Sequence, residues 1–583
     1  MEGTVVFSVL NAKFVHTSPA PWCLAAGVKA YAPELYSRVH IVEATINQPF
    51  AEVLKRIVDN APSVAGFSCY LWNIATTLAL CAELKQALPG LTVVLGGPEV
   101  SYCAKEVLQN NPQVDYILAG EGEQSVPAFL RAVFGQRGPK PLSEQERASI
   151  AGLCGRRGDG TVYESEPCVL GGDVPSPLTA GYAEALGGRI AYLETSRGCP
   201  YSCAFCLSGR CGAPRFFALG DVYENLLRLA NSGTRTVKLI DRTFNASPAH
   251  SNQILQFILT HYGKAIPSGI CFHFEIAGDI LREETFALLA QMPAGAVQLE
   301  IGMQSFCEQT LEAVHRKTDT ALLQANIRRL VAMGNMHIHI DLIAGLPYEG
   351  LTVFAESFNR GYALKAQMLQ LGFLKLLHGS AMRDYPQSYP CEFDDQAPYE
   401  VRSTPWLSTR ELDLLHLTED AVERVYNSGR FSLTADYVLS KSGQTPFEFF
   451  MGLGACAHKA GVCGAVSLDE YTAFLQLHCA SLLKEDAEAL RDALVRDRLS
   501  TNATGRLPPC LHRQDVRMSG VIKHLAANPA TAPRQGVRRG VALLYAARAV
   551  CWVDYTPHGQ NPVTGRWTLH EMPMDTFFRE QSQ

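Results

Sequence analysis

Residues 194–212 read ETSRGCPYSCAFCLSGRCG and place Cys199, Cys203 and Cys206 at the spacing Cys-x-x-x-Cys-x-x-Cys, directly after the apolar strand RIAYLE (189–194). The chain has 18 cysteines in 583 residues, about 3%, well below the roughly 8–10% of a secreted disulfide scaffold. Three thiols this close therefore point to metal ligation in a reducing compartment. Three ligands do not complete a tetrahedral zinc site, although Cys211, five residues on, would make a zinc knot of four thiolates. In an iron-sulfur cluster, three protein ligands leave one iron open to a substrate or cofactor. Spacing alone leaves both readings standing.

Downstream, apolar runs alternate with helix-length segments: TVKLIDRTFN (236–245), ICFHFEIAGD (270–279), AVQLEIGMQS (296–305), HIHIDLIAGLP (337–347) and MLQLGFLKLLHG (368–379). With RIAYLE these make six βα units. Glu275, Glu300, Gln304 and Asp341 lie in or just past these strands, where a buried polar group without a partner is costly. Each needs a ligand or a structural mate, an internal salt bridge being the alternative to a cofactor contact.

With Phe205 just before the third cysteine, the triplet resembles the hallmark of the radical S-adenosylmethionine (SAM) enzymes. The resemblance implies that Cys199, Cys203 and Cys206 ligate a 4Fe-4S cluster whose fourth iron binds the amino and carboxylate groups of SAM. It implies that an electron from the cluster cleaves SAM to methionine and a 5'-deoxyadenosyl radical, and that Cys211 is a spare thiol. It also implies a partial (β/α)6 barrel, with the chemistry at the C-terminal strand ends. The spacing from Gln304 to Arg316, in EAVHRKTD, and the stretch HIDLIAGLP around Asp341 resemble the SAM-binding segment of oxygen-independent coproporphyrinogen oxidases. That makes Gln304, Arg316 and Asp341 expected SAM contacts, with Glu300 and Glu275 as further cofactor-binding candidates. Arginine is also the natural bidentate partner for the carboxylate of a bound amino acid.

Upstream, TVVFSVL (4–10), VHIVEA (39–44), SVAGFS (63–68), LTVVLG (91–96) and VDYILAG (114–120) keep a βαβ rhythm, which predicts a doubly wound, flavodoxin-like parallel sheet. The strand ends carry NAKFVHTS (11–18), CYLWN (69–73), GGPEVS (96–101) and GEGE (120–123), whose small residues let backbone approach a large ligand. No G-x-G-x-x-G follows the first strand, so dinucleotide binding has no support. A sheet domain ahead of such a barrel, with GFSCYLWN, VVLGGPEVS and DYILAGEGE, resembles the cobalamin-binding radical SAM class. The resemblance implies cobalamin on the carboxyl edge of the sheet, facing the barrel, with its dimethylbenzimidazole tail buried. Ser68, Gly96, Gly97, Glu121 and Gly122 are the expected cobalamin contacts. Where cobalamin mutases and methionine synthase carry Asp-x-His-x-x-Gly, this chain has Phe14-Val15-His16-Thr17-Ser18-Pro19. His16 would ligate cobalt as a neutral imidazole or be a hydrogen-bonded loop histidine, and the missing Asp favours the latter. A competing reading gives Cys23, Cys69 and Cys103 a second cluster, as in methylthiotransferases, but their contexts suit buried thiols. Tyr70, Trp22 and Trp72 would cover a flat ring or simply pack.

At 583 residues the chain exceeds the ~250–300 at which one core stops growing, so several domains are expected: a cobalamin-binding sheet domain (1–135), a linker rich in Gly, Pro and Ser (136–188), the barrel (189–385) and a mainly helical accessory domain (386–583), which resembles a domain of unknown function trailing one branch of the class. Hydrophobic residues at 47% and charged residues at 19% are ordinary globular composition, and a net charge of -6 gives no nucleic-acid signal. The N-terminal MEGTVVFSVLNAKFVH reads as a strand and not as a secretory signal, and no apolar run reaches 18 residues, so a cytoplasmic protein without a membrane span is expected. The expected activity is methyl transfer to an unactivated carbon of an unknown, small-molecule substrate, with flavodoxin or ferredoxin as electron donor. Cobalamin-dependent ring closure or rearrangement without methylation is the alternative, followed by a methylthiotransferase-like enzyme or a non-catalytic cofactor sensor.

Overall fold

The first strand, Thr4–Asn11 (β1), buries seven of its eight residues, as a strand covered on both faces must. It is flanked by Val39–Thr45 (β2) and Pro62–Ser68 (β3), and Thr92–Gly96 (β4) and Tyr116–Leu118 (β5) follow, all parallel in the order β2-β1-β3-β4-β5. This is the flavodoxin-like order, with a crevice outside the carboxyl ends where the winding reverses. Successive residues of β1 supply opposite cores: Val5 and Phe7 pack with the helices Ala20–Tyr31 and Gly122–Phe134, while Val6 and Leu10 pack with Ile74–Ala87. The computed structural model describes residues 3–135, 142–171, 174–210, 212–483, 486–528, 531–532 and 535–578.

The stretch expected to be a linker is structured where it is described. Helix Glu144–Ser149 starts on a capping box between Ser143 and Glu146. Leu153–Arg156 (β6) and Val162–Tyr163 (β7) then pair antiparallel beyond β5 and extend the sheet to seven strands. Leu153 and Cys154 are buried there, which satisfies the backbone edge that β5 would otherwise leave open. A short apolar pair amid Gly and Pro carries too little periodicity to announce this strand.

The chain divides into two compact units, the first being Met1–Ala296 with Val314–Lys317 and Leu374–Arg402, the second the remainder. The first unit continues with Ala191–Leu193 (β8), a two-stranded antiparallel ribbon of Ser196–Arg197 (β9) and Arg215–Phe216 (β10), then Thr236–Leu239 (β11) and Cys271–Ile276 (β12). β11 pairs parallel with both β8 and β12 and sets Tyr192, Lys238 and His273 in register, a polar row on one face of otherwise apolar strands.

The second unit holds Val297–Gln304 (β13), His337–Ala344 (β14) and Met368–Phe373 (β15), parallel in that order. Burial along β13 alternates strictly: Val297, Leu299, Ile301 and Met303 face the core, and Glu300 and Gln304 share the opposite face. All six strands expected downstream of residue 188 are therefore present, three in each unit, each followed by helix. Beyond them lie Thr409–Val422, Ser432–Ser442, Pro446–Lys459, Leu468–Leu483 and Ala487–Thr501, a helical region as expected. The sequence reading did not place the three-stranded antiparallel sheet, Arg538–Leu544, Ala549–Tyr555 and His570–Pro573, that follows them. Among the described residues no helix is long and apolar enough to cross a membrane.

Candidate functional site

The ribbon β9–β10 ties Arg197 to Arg215 in register and closes a loop that carries all three cysteines. Its base is pinned by Asp241, just past β11, whose carboxylate accepts from Thr195 N at 3.1 Å, Thr195 Oγ1 at 2.8 Å and Ser196 Oγ at 2.5 Å. Burial pushes the Asp241 carboxyl up to about 6. Inside the loop, Cys199 Sγ lies 3.5 Å from Thr243 Oγ1, and Cys206 Sγ accepts from Ser208 N at 3.4 Å. Arg316 Nη1 lies 3.8 Å from Cys203 Sγ. Burial raises the Cys203 pKa while Arg316 pulls it back, which is how a neighbouring guanidinium favours thiolate.

The sulfurs of Cys199, Cys203 and Cys206 do not all lie within 4.8 Å of one another. Thiolates sharing one tetrahedral zinc stand about 3.8 Å apart, as a 2.3 Å Zn–S bond requires. The wider spacing suits a cluster, which puts inorganic core atoms between its ligands. Cys211, the expected spare thiol, lies outside the described residues.

The residues expected to contact SAM are distributed over both units. In the second, Gln304 holds a left-handed backbone, φ 67°, and its Oε1 is buried without a hydrogen-bond partner. A non-glycine residue in that region stores strain, and an orphaned acceptor wants a donor. Both features suit a ligand bearing hydroxyl or ammonium groups. Glu300 and Asp341 come together around His339: Nε2 lies 2.8 Å from Asp341 Oδ1 and Nδ1 lies 4.0 Å from Glu300 Oε2. Burial works against charge on His339, but Asp341 and then Glu300 overcome it and raise the pKa. His339 was not singled out from the sequence, although period-two alternation sets it on the face of Asp341. In the first unit Glu275 Oε1 lies 3.4 Å from Lys238 Nζ, so this carboxylate has a structural mate across β11–β12. Arg316 is held beside Cys203, as described.

A cavity of about 650 Å³ opens at the carboxyl edge of the N-terminal sheet and runs beneath the helices Ala20–Tyr31 and Gly122–Phe134, over the sheet face that carries Phe7, Val64 and Val94. Ligand clefts are concave, mostly apolar and largely pre-formed, and this cavity has that character. Ser68, Gly96, Gly97, Glu121 and Gly122 all line it. Its depth and apolar floor fit a flat, tailed ring system such as cobalamin. At Gly97, φ is 100° and a Cβ would meet Cys69 O at 2.5 Å, so only glycine lets the chain turn there. Tyr70 and Trp72 stack at 4.5 Å on the lining, whereas Trp22 packs on Tyr182 away from it.

The rim is a cage of ion pairs. Arg197 Nη2 reaches Glu194 at 2.5 Å and Glu123 at 2.9 Å, and Nη1 reaches Glu121 at 3.3 Å. Burial opposes the charge of Arg197, but Glu194 and Glu123 more than offset it and hold the guanidinium protonated. Glu121 is further clamped by Arg215 and by Leu170 N at 3.0 Å. His16 lines the cavity and makes a 2.6 Å hydrogen bond through Nδ1 with Tyr192 OH, a contact compatible with either reading of this loop histidine. Burial, then Lys13 and Lys238, lower its pKa and keep the ring neutral. The second-cluster reading fails on chemistry: burial raises the Cys23 and Cys69 thiols far above their usual range and pushes Cys103 up to about 12, and among the described residues the three form no ligand group.

Three family models match the chain: the B12 binding domain over residues 8–130, the Radical SAM superfamily over 193–359, and DUF4080, a protein family of unknown function, over 387–532. Among curated proteins, the cobalamin-dependent radical SAM methyltransferase TokK of Streptomyces tokunonensis is 26% identical over 54% of this chain and 46% of its own length. The 2-(S-pantetheinyl)-carbapenam-3-carboxylate methyltransferase of Streptantibioticus cattleyicolor is 26% identical over 51% of this chain and 44% of its own length. The chain thus spans less than half the length of these relatives. Among solved structures, the cobalamin-dependent SAM radical enzyme OxsB, with aqua-cobalamin and SAM bound, shares the fold at a TM-score of 0.59 and 13% identity, covering 85% of this chain and 79% of that one.

Proposed function

We propose, from the premise that this chain belongs to the radical SAM superfamily and carries a B12 binding domain before its radical SAM domain and a DUF4080 domain after it, that it is an enzyme transferring a methyl group to an unactivated carbon of a small molecule. The observation that carries this reading is that Arg197 both opens the cysteine loop and lines the sheet-edge cavity, so one side chain joins the two cofactor sites within one compact unit. Both curated relatives described above are named as methyltransferases.

When bound, a 4Fe-4S cluster, SAM and cobalamin supply the one-electron chemistry and the methyl group that side chains lack. Cys199, Cys203 and Cys206 would hold the cluster, and Arg316 would favour thiolate at Cys203. Gln304 would accept a hydrogen bond from SAM, with Asp341, Glu300 and Arg316 as further contacts. Glu275, with Lys238 as its mate, takes the internal salt-bridge alternative instead. Ser68, Gly96, Gly97 and Gly122 would let cobalamin lie close to backbone, and the Arg197 cage around Glu121 would help keep water from the occupied cavity. A flavodoxin or ferredoxin donor in a reducing, cytoplasmic setting completes the reading. Ring closure is the second reading, because a magnesium-protoporphyrin IX monomethyl ester cyclase of Cereibacter sphaeroides is also a relative, at 21% identity.

Anaerobically reconstituted protein should retain added hydroxocobalamin through gel filtration and lose its iron when Cys199, Cys203 and Cys206 become Ala. With a true substrate it should release S-adenosylhomocysteine and 5'-deoxyadenosine in equal amounts. Release of 5'-deoxyadenosine alone, with no methyl mass gained by the product, transfers the protein to the ring-closure reading. Zinc bound by four thiolates would overturn the cluster, and failure to retain cobalamin would overturn the role of the N-terminal sheet.

A further inference from the structure

Five formally charged side chains line the cavity: Glu121, Glu123, Glu194, Arg197 and Arg242. The three carboxylates are all paired with Arg197, and Glu121 with Arg215 as well. Arg242 differs. Among the described residues its guanidinium makes no hydrogen bond and no ion pair, although it lies near enough to Tyr70, across the cavity lining, to act on that phenol electrostatically. It is also rigidly mounted. The residue before it, Asp241, is held by Thr195 and Ser196, and the residue after it, Thr243, lies 3.5 Å from Cys199 Sγ. Arg242 therefore stands where the cysteine loop meets the cavity, on an anchored backbone, with its fork unspent.

We propose that Arg242 is the anion-recognition residue of this cavity, receiving a carboxylate or phosphate of the molecule bound there, and hence that the substrate is an anionic small molecule. This rests on the cofactor reading above. A ligand filling the cavity strips water from Arg242, and burying a guanidinium without a counter-charge is costly. Glu121, Glu123 and Glu194 are engaged by Arg197 and Arg215, and none of them forms an ion pair with Arg242. An oxyanion supplies the counter-charge, through the bidentate geometry that arginine offers to carboxylate and phosphate. Three sources present this chemistry: the substrate, the phosphodiester in the nucleotide tail of cobalamin, and the carboxylate of SAM, which the cofactor reading already assigns to the open iron of the cluster. The position beside Thr243 and Cys199, just past β11 and not on the N-terminal sheet, favours the substrate.

The test is calorimetric titration of the full-length, cluster-loaded protein and its Arg242→Gln and Arg242→Lys variants with four probes: cobalamin, cobinamide (which lacks the phosphodiester tail), inorganic phosphate and acetate. If the substrate is the source, the cobalamin-loaded wild type binds phosphate or acetate saturably, Arg242→Gln weakens that binding by about 10- to 100-fold as loss of a charge-assisted pair should, Arg242→Lys recovers part of it, and cobalamin and cobinamide affinities are unchanged. If the cofactor is the source, Arg242→Gln weakens cobalamin but not cobinamide, which keeps the anion site and removes the inference about the substrate. Unaltered affinities for all four probes, with matching circular dichroism, overturn the proposal. If the wild type retains no cobalamin, the cofactor reading has failed instead, and the phosphate titration of the cluster-loaded chain still decides whether Arg242 takes an anion.

Discussion

The Arg316 guanidinium lies with Nη1 3.8 Å from Cys203 Sγ, where it offsets the effect of burial on that thiol, and the same side chain is proposed above to contact SAM. Arg316→Ala should weaken SAM binding by roughly 1.5–3 kcal/mol, about 10- to 150-fold, while iron content stays near wild type because three thiolates still ligate. Equilibrium SAM binding beside an iron assay reads both, and wild-type affinity would leave Arg316 as a support for Cys203 alone. Glu349 shows the opposite use of a charge. It is fully buried, Oε1 accepts from Ser305 Oγ at 2.6 Å and Ser357 Oγ at 2.9 Å, Oε2 has no partner, and burial lifts its pKa to about 7. A carboxyl whose folded pKa lies above its unfolded value contributes stability that is present at low pH and lost as pH rises through the folded pKa. Its contribution should therefore fall between about pH 4.5 and 7, by at most roughly 3 kcal/mol. Urea unfolding of Glu349→Gln against wild type at pH 5 and pH 7 should show the variant gaining relative stability at the higher pH; equal changes in both proteins would contradict the buried, neutral carboxyl.

Elements matter here chiefly at their ends. β4 stops at Gly96 so that Gly97, at φ 100°, can turn the chain where a Cβ would come within 2.5 Å of Cys69 O. Replacing Gly97 by Ala imposes both left-handed strain and a backbone collision, which together should cost about 1–3 kcal/mol and shift the cavity wall. A lower melting temperature with reduced cobalamin retention is the expected result, and an unperturbed melt would mean that the turn relaxes freely. The ribbon of β9 and β10 works by the same economy. Two residues on each side are too short to be stable alone, yet pairing them through Arg197 and Arg215, above the anchored Asp241, closes the cysteine loop.

At the scale of the whole molecule, the N-terminal sheet and the strands that carry the cysteine loop fold as one compact unit, Met1–Ala296 with two later segments. Long-range ties hold it: Arg197 to Glu123, Arg189 to Glu43 at 2.9 Å, and Thr17 Oγ1 to Tyr182 OH at 2.8 Å. A ligand that fills the cavity therefore stabilises this unit by mass action. Hydroxocobalamin at one hundred times its dissociation constant should add about 2.7 kcal/mol, seen as a raised melting temperature. Cobalamin that leaves the melt unmoved at that concentration would show that the cavity is not its site.

Local pattern determined much of this protein. The triplet Cys199, Cys203 and Cys206, the five N-terminal strands and the six βα units follow from spacing and periodicity, because apolar alternation and ligand spacing are properties of neighbours along the chain. Strand identity also fixed which ends would cluster, so Ser68, Gly96, Gly97, Glu121 and Gly122 were expected on one edge, and they line one cavity. Pairing was beyond it. Nothing near Glu275 in sequence announces Lys238, nothing near His16 announces Tyr192, 176 residues away, and His339 becomes visible only once Glu300 and Asp341 stand on either side of it. β6 needed an open edge on β5 before four residues amid Gly and Pro became a strand. Arg242 looked like any strand-end arginine until every other formal charge lining the cavity was seen to be paired. Periodicity tells a side chain which face it occupies; which partner meets it there, or whether one does, depends on how distant segments pack, and only the tertiary structure decides that.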